Sequence, residues 1–346
     1  MATFTLETDS SARWEQAWAA TGREPFAHPA YVELQCGTGE EARAVCWADD
    51  GGEILLPLVT RPLPDSLEVR EVSDQGWVDA VSPYGYGGPF TSGAPDVAAF
   101  MSALLEWMRE ARVVTAFLRA SLGVPMPASL DLDGYEAVHL ADNVVVDLGR
   151  SPEEQWSTYE HKVRKNVNKA RRAGLQVTVR DDFDGLEAFL GIYHDTMRRR
   201  SASDHYYFGA DYFATIRDRM AGSYWVADVL DGDGRTVSTE LVLTSDRRCY
   251  SFLGGTLEDA FPMAPNDLLK HEVISHAAGL GMDGYVLGGG YQPGDGIFRY
   301  KRAFDPEGVQ PFQGVRLTAD SSTYDALCAA RRGGDPGSFF PAYRAP

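Results

Sequence analysis

The sequence predicts an α/β protein of layered α+β type, organised as two domains that repeat one motif. Three observations carry that reading. The chain has 346 residues, more than the roughly 250–300 at which a single hydrophobic core stops growing. Helix-like and strand-like apolar spacings alternate along its whole length, with no low-complexity tract between them. The order of elements in the first half also returns after residue 150, without visible sequence identity.

Residues 10–20 open with serines ahead of apolar residues at helical spacing, the pattern of a capped helix. Residues 42–62 are two β-rich runs joined by Asp49-Asp50-Gly51-Gly52, the chemistry of a hairpin turn. A Gly/Pro/aromatic loop follows at 82–90, then a helix over 96–113, a strand at 114–120 and another at 143–149. The second half begins with one helix predicted over 151–174, then a strand at 175–180 and helices over 183–200 and 209–220. Strands at 223–230, 236–245 and 248–256 come next, the first two joined by the turn 231–235. A helix over 265–281, ended by Gly279 and Gly281, leads to a strand at 284–290. Helix, strand, two helices, antiparallel strands, helix, strand is the order of an N-acyltransferase of the GNAT type.

The composition is that of a globular protein, with 44% hydrophobic and 24% charged residues and a net charge of −18. The N-terminus lacks the basic and apolar regions of a signal peptide, and no window reaches the ~18 apolar residues of a spanning helix. A cytoplasmic protein with no stable membrane insertion is expected. Cys36, Cys46, Cys249 and Cys328 are scattered and the seven histidines are not spaced as a metal site, so free thiols and no metal are expected. There is no Ser-His-Asp grouping, GxSxG elbow or Walker A loop. An acidic chain repels nucleic acid in general, so a polyanionic partner requires a local basic patch.

One such patch exists. Residues 161–172 carry Lys162, Arg164, Lys165, Lys169, Arg171 and Arg172 without a carboxylate. On a helix, Val163, Val167 and Ala170 form a narrow apolar stripe, while Lys162, Lys165, Lys169 and Arg172 lie on another face. That face is either a solvated surface balanced by the acidic remainder or a phosphate-tracking surface. Arg198, Arg199 and Arg200 end the helix over 183–200, ahead of His205, Tyr206 and Tyr207. They meet either the helix dipole or a phosphate. Gly288, Gly289 and Gly290 close a strand, shortly before Phe298, Tyr300 and Lys301. There a cation could stabilise the oxyanion of an acyl-transfer intermediate. The Q/R-x-x-G-x-G/A loop that holds the pyrophosphate of acetyl-CoA in GNAT enzymes is not found before residue 265.

Together, "YGGP" at 86–89, "KVRKNVNKARRAGLQV", "YHDTMRRR", "PNDLLKHEVISHAAGLGMDGYVLGGG" and "GIFRYKRAF" resemble the Fem family of aminoacyltransferases over roughly residues 80–305. The resemblance implies two tandem GNAT-like domains with a cleft between them and no coiled-coil arm. The first would comprise 1–148 with 306–346, on the acceptor side, and the second 149–305, catalytic and on the donor side. It implies transfer of an amino acid from aminoacyl-tRNA to the amine of a cell-wall precursor or small-molecule natural product, with no cofactor beyond that donor. By the same resemblance Lys301 stabilises the tetrahedral intermediate, Tyr300 is its aromatic neighbour, and Arg199 meets substrate phosphate. The loop with Tyr84, Tyr86, Gly87 and Gly88 positions the acceptor, Tyr207, Gly289 and Gly290 line the substrate site, and Lys162, Lys165, Lys169 and Arg172 contact tRNA. The competing readings are an acyl-CoA-dependent N-acyltransferase and a non-catalytic protein that binds a nucleotide-linked or peptidic ligand.

Overall fold

The structure, a computed structural model, describes residues 2–8, 11–64 and 76–345, without the side chain of His205. Of the two serines expected to cap the first helix, Ser10 lies outside these residues and Ser11 caps the helix, accepting from Trp14 N. In chain order, β1 (Thr3–Thr8) leads to α1 (Ala12–Ala20), α2 (Pro29–Leu34), the hairpin β2 (Glu41–Asp49) and β3 (Gly52–Pro62), and β4 (Val78–Val81). Then come β5 (Phe90–Gly93), α3 (Val97–Glu110), β6 (Val113–Arg119) and β7 (Tyr135–Asp147). Next are α4 (Pro152–Thr158), α5 (His161–Arg172), β8 (Gln176–Arg180), α6 (Leu186–Arg199), α7 (Ala210–Arg219), β9 (Tyr224–Leu230), β10 (Thr236–Thr244) and β11 (Arg248–Thr256). A 3₁₀ stretch (Glu258–Met263) precedes α8 (Pro265–Gly279), β12 (Gly284–Gly288), α9 (Gly296–Arg302), β13 (Val309–Thr318) and α10 (Ser321–Ala330).

The chain divides into two units, Met1–Leu140 with Phe312–Pro346, and Ala141–Pro311. In the first, the strands run β1-β2-β3-β4-β6, and β13 closes the sheet against β6. Every pairing in that series is antiparallel except β4 with β6, which is parallel. In the second, β8-β9-β10-β11-β12 repeat the series, with its parallel pair at β11 and β12, and β7 closes the sheet antiparallel to β12. Two helices follow the first strand of each series and one follows the fourth. The motif predicted from the order of elements is therefore present twice. Among the described residues the longest helix, α8, has 15 residues, and no helix is long and apolar enough to cross a membrane.

One sequence prediction is corrected. The helix expected over 151–174 is two helices, α4 and α5, broken at Tyr159. Tyr159 takes an extended conformation and buries its ring against Phe304 and His271, at 5.6 and 5.7 Å between centroids. The backbone opened by the break is satisfied from elsewhere: Glu160 N donates to Ala303 O at 2.8 Å, and Arg164 donates to the carbonyls of Ser157 and Tyr159. Burying an aromatic ring outweighs one turn of helix. The predicted stripe on α5 is buried, with Val163, Val167 and Ala170 packed against Leu268, Val273 and Ile274 of α8 in one core cluster.

Candidate active site

The second unit holds a pocket of about 910 Å³ walled by α5, α6, β10, β11, α9 and the start of α8. Two glycines set its back wall. A Cβ at Gly254 would fall 2.3 Å from Thr239 O, and one at Gly255 2.3 Å from Thr196 Oγ1. Gly254 thus clears the backbone of β10, and Gly255 lets α6 lie close over β11, where Thr256 N donates to Thr196 Oγ1 at 3.3 Å.

Lys301 stands in the pocket wall on α9. Sequence patterning gave no helix here; Asp295 starts it as N-cap, accepting from Phe298 N at 2.7 Å. The same carboxylate accepts from Tyr291 N and Gln292 N, which ties the glycine loop to the helix. Lys301 Nζ donates to Gly289 O at 2.7 Å and has two further N–H donors. Burial, reinforced by the like charge of Lys270, lowers its pKa to about 8. Its neighbour Tyr300 accepts from Asn266 Nδ2 at 2.8 Å, and burial raises the phenol well above its ordinary value.

A buried ionic network forms the floor. Lys270 Nζ donates to Glu240 Oε1 at 2.5 Å, to Ser251 Oγ at 2.7 Å and to Tyr285 OH at 3.2 Å. Tyr285 OH lies 3.0 Å from both Glu240 oxygens. Such a pair survives burial because its remaining polar atoms are satisfied. A third carboxylate, Asp267, sits in the first turn of α8, only 7% exposed. It accepts from Asn166 Nδ2 of α5 at 3.1 Å. Burial raises it to about 6, against the opposing pull of that hydrogen bond and of Lys162.

The structure gathers part of the predicted site. Lys301, Tyr300, Arg199 and Lys169 all line the pocket. Arg199 donates from Nη2 to Thr256 O at 2.9 Å and to Thr196 Oγ1, and lies 4.8 Å from the centre of the Phe261 ring. Its other N–H groups have no protein partner among the described residues. Gly289 and Gly290 lie behind the lining: a Cβ at the first would meet Asp142 O at 2.8 Å and at the second Asp295 Oδ1 at 2.3 Å. Tyr207 is outside the lining, near-parallel to His194.

Lys162, Lys165 and Arg172 are exposed on α5 outside the lining, and among the described residues none of them, nor Lys169, has an ion-pair partner. Arg171 does, at 3.0 Å from Glu272. Tyr84, Tyr86, Gly87 and Gly88 belong to the first unit. There Tyr84 is exposed, the Tyr86 ring packs edge-on to Phe26 and Phe312, and a Cβ at Gly87 would strike Ser82 at 2.4 Å. Sequence reasoning did not single out Asn166, Glu240, Ser251, Asn266, Asp267, Lys270 or Tyr285.

Residues 157–302 match the family model described as an acetyltransferase (GNAT) domain, so the second unit is an acyltransferase domain of the GNAT type. Among solved structures, the crystal structure of FemX superposes with a TM-score of 0.69 at 14% identity, over 93% of this chain and 99% of that one. L-PGS from Bacillus licheniformis gives 0.59 at 13% identity, over 94% and 97%. A conserved protein of unknown function from Bacteroides thetaiotaomicron VPI-5482 gives 0.60 at 8%, over 91% and 99%. No curated protein matches. Over nearly its whole length, then, the chain has the fold of FemX.

Proposed function

We propose that the protein is an aminoacyltransferase that moves an amino acid from aminoacyl-tRNA to the amine of a small-molecule or peptidic acceptor. The observation that carries this reading is the Lys301 ammonium, held against Gly289 O in a pocket that Lys169, Arg199 and Arg200 also line. An aminoacyl ester is already activated. Its aminolysis requires orientation, deprotonation of the amine and a positive group at the carbonyl oxygen, but no cofactor. Lys301 serves as that positive group, and Arg199, with free guanidinium N–H groups, takes a phosphate near the 3′ end of the donor. The cations Lys162, Lys165, Lys169 and Arg172, which have no ion-pair partner among the described residues, follow the tRNA backbone. The exposed Tyr84 and the packed turn at Tyr86, Gly87 and Gly88 belong to acceptor recognition.

The GNAT match also suggests an acyl-CoA donor. The start of α8 argues against it. Pro265 has no N–H, Ala264 N is bonded to Phe261 O, and Asp267 places a carboxylate in the first turn. A pyrophosphate needs free N–H groups and no anion there. Incubation with a mixture of charged tRNAs and a cell extract, followed by mass spectrometry, separates the two donors. The expected product is an aminoacylated amine that disappears when RNase is added first. A product that survives RNase, together with calorimetric binding of CoA, would overturn the assignment.

A further inference from the structure

Aminolysis leaves one demand that Lys301 does not meet: the attacking amine must lose a proton as the carbon–nitrogen bond forms. We propose that Asp267 is the general base for that proton, an assignment that rests on the aminoacyl-transfer reading. No histidine or cysteine lines the pocket, and its carboxylates are Glu240, Asp267 and Asp295. Asp295 is occupied by the backbone N–H groups of Tyr291, Gln292 and Phe298. Glu240 is bound by Lys270 on one oxygen and approached by Tyr285 on both. Asp267 has one side-chain partner, the neutral amide of Asn166, and no ion-pair partner among the described residues.

The surroundings of Asp267 suit the task. From α5 it is faced by Asn166, which orients the carboxylate, and by Lys162, which keeps it ionised. From α9 comes Tyr300, whose own phenol the Asp267 charge helps to keep protonated. On α8 itself Asn266 binds Tyr300, next in sequence to Lys301, and Lys270 is committed to Glu240. Lys169, Arg199, Arg200, Glu240, Asp295 and Lys301 complete the charged lining. A carboxylate raised to about 6 by burial is ionised at neutral pH and more basic than an exposed one.

In the step proposed, the free amine attacks the ester carbonyl carbon, the carbonyl electron pair moves to oxygen beside Lys301, and the N–H proton passes to the Asp267 carboxylate. Collapse of the intermediate breaks the bond to the ribose oxygen, which takes the same proton from Asp267. Ester and amine become amide and alcohol, and no further reactant enters.

The test is single-turnover transfer from a mixture of charged tRNAs to a panel of primary amines headed by glycinamide, from pH 5 to 9, with wild type, Asp267→Asn and Asp267→Glu. Wild-type rate is expected to rise with pH through about 6, where Asp267 loses its proton. Asp267→Asn should be slower by about 100-fold or more and should lack that limb, while Asp267→Glu recovers part of the rate. A purely structural role predicts lost stability or lost tRNA binding, and the base role predicts neither. A carboxyl raised by burial opposes folding once ionised, so the Asn variant should keep or gain Tm at neutral pH and bind tRNA within about threefold of wild type. An Asn variant that transfers within about threefold of wild type, or retains the limb near 6, or loses tRNA affinity in proportion to rate, overturns the assignment. If wild type aminoacylates no amine in the panel, the transferase reading itself falls, and the base with it.

Discussion

The two units share a strand order and a parallel pair, but the second sets buried polar and ionisable groups into the motif where the first is apolar. On the third strand of the first series, β3 buries Ile54, Leu55, Leu56 and Leu58; its counterpart β10 buries Ser238, Thr239 and Glu240 between Val237 and the run Leu241, Val242 and Leu243. The helix after the fourth strand differs in the same way. α3 buries Phe100, Met101, Leu104, Leu105 and Met108, whereas α8 buries Asp267 and Lys270 among Leu268, Leu269, Val273 and Ile274. The first unit does contain a buried charge, Asp79 on β4, but it is closed off by Arg61 at 2.8 Å, by Tyr343 OH at 3.0 Å and by Arg344. Topology alone therefore does not make a site. The second unit gives up apolar core for ionisable groups that face a pocket, the exchange expected where chemistry is done.

The largest effect expected from this contrast is on stability. Lys270→Met would leave Glu240 buried with its charge uncompensated, at a cost of about 3–5 kcal/mol. Converting both partners to apolar residues, Lys270→Met with Glu240→Leu, should recover most of that loss. Met101→Leu on α3 keeps volume and polarity and should cost less than about 1.5 kcal/mol. Urea unfolding of the four proteins measures all three differences. A single Lys270→Met variant no weaker than Met101→Leu would mean that the floor of the pocket is not held by its ion pair.

Next is a loss of rate without a loss of stability. Removing one charge that stabilises an oxyanion typically costs ~10²–10³ in rate, and Lys301→Met should fall in that range while tRNA binding is kept. The sign of the pH dependence follows from the lowered pKa of Lys301. The cation is present below about 8 and lost above it, so transfer should decline as pH rises through that value. A rise through 8 that is present in wild type and absent in Lys301→Met would instead make Lys301 a base. Because burial disfavours the charged lysine, the Met variant should melt no lower than wild type at pH 7.

Much of the frame was legible in the sequence, and the reason is local. Hairpin turns, caps and apolar periodicity set β2 and β3, α3, α6 and α8 close to where they were expected. The break at Tyr159 was not legible, because it depends on Phe304 and His271, which are distant in sequence. Of the candidate site, Lys301, Tyr300, Arg199 and Lys169 were reached through family-like motifs and all line the pocket. The floor was missed for a different reason. Glu240 stands alone in a run of β formers and Lys270 falls on the apolar side of its helix, so each looked like an isolated polar residue. Only pairing across β10, β11, α8 and β12 turns them into one network. A lone charge within a buried pattern was the available signal.

The smallest effect concerns the cationic face of α5, and it bears most directly on why an acidic chain concentrates cations there. Lys165 and Arg172 are exposed and unpaired among the described residues, so Lys165→Gln with Arg172→Gln removes charge without breaking any ion pair. Relieving like charges along the helix should leave Tm level or slightly raised. Each phosphate contact contributes roughly 0.7–0.9 to the slope of log affinity against log salt, so the double variant should flatten that slope for tRNA by about 1.4–1.8. Two controls localise the effect. Arg171→Gln removes a cation already paired with Glu272, and Arg43→Gln removes one paired with Glu41 in the first unit, so neither should move the slope by more than a fraction of one contact. Fluorescence anisotropy of labelled tRNA across a salt series provides the measurement. Equal slopes in all four proteins would leave α5 as a solvated face balanced by the acidic remainder, and would remove it from the path of the donor.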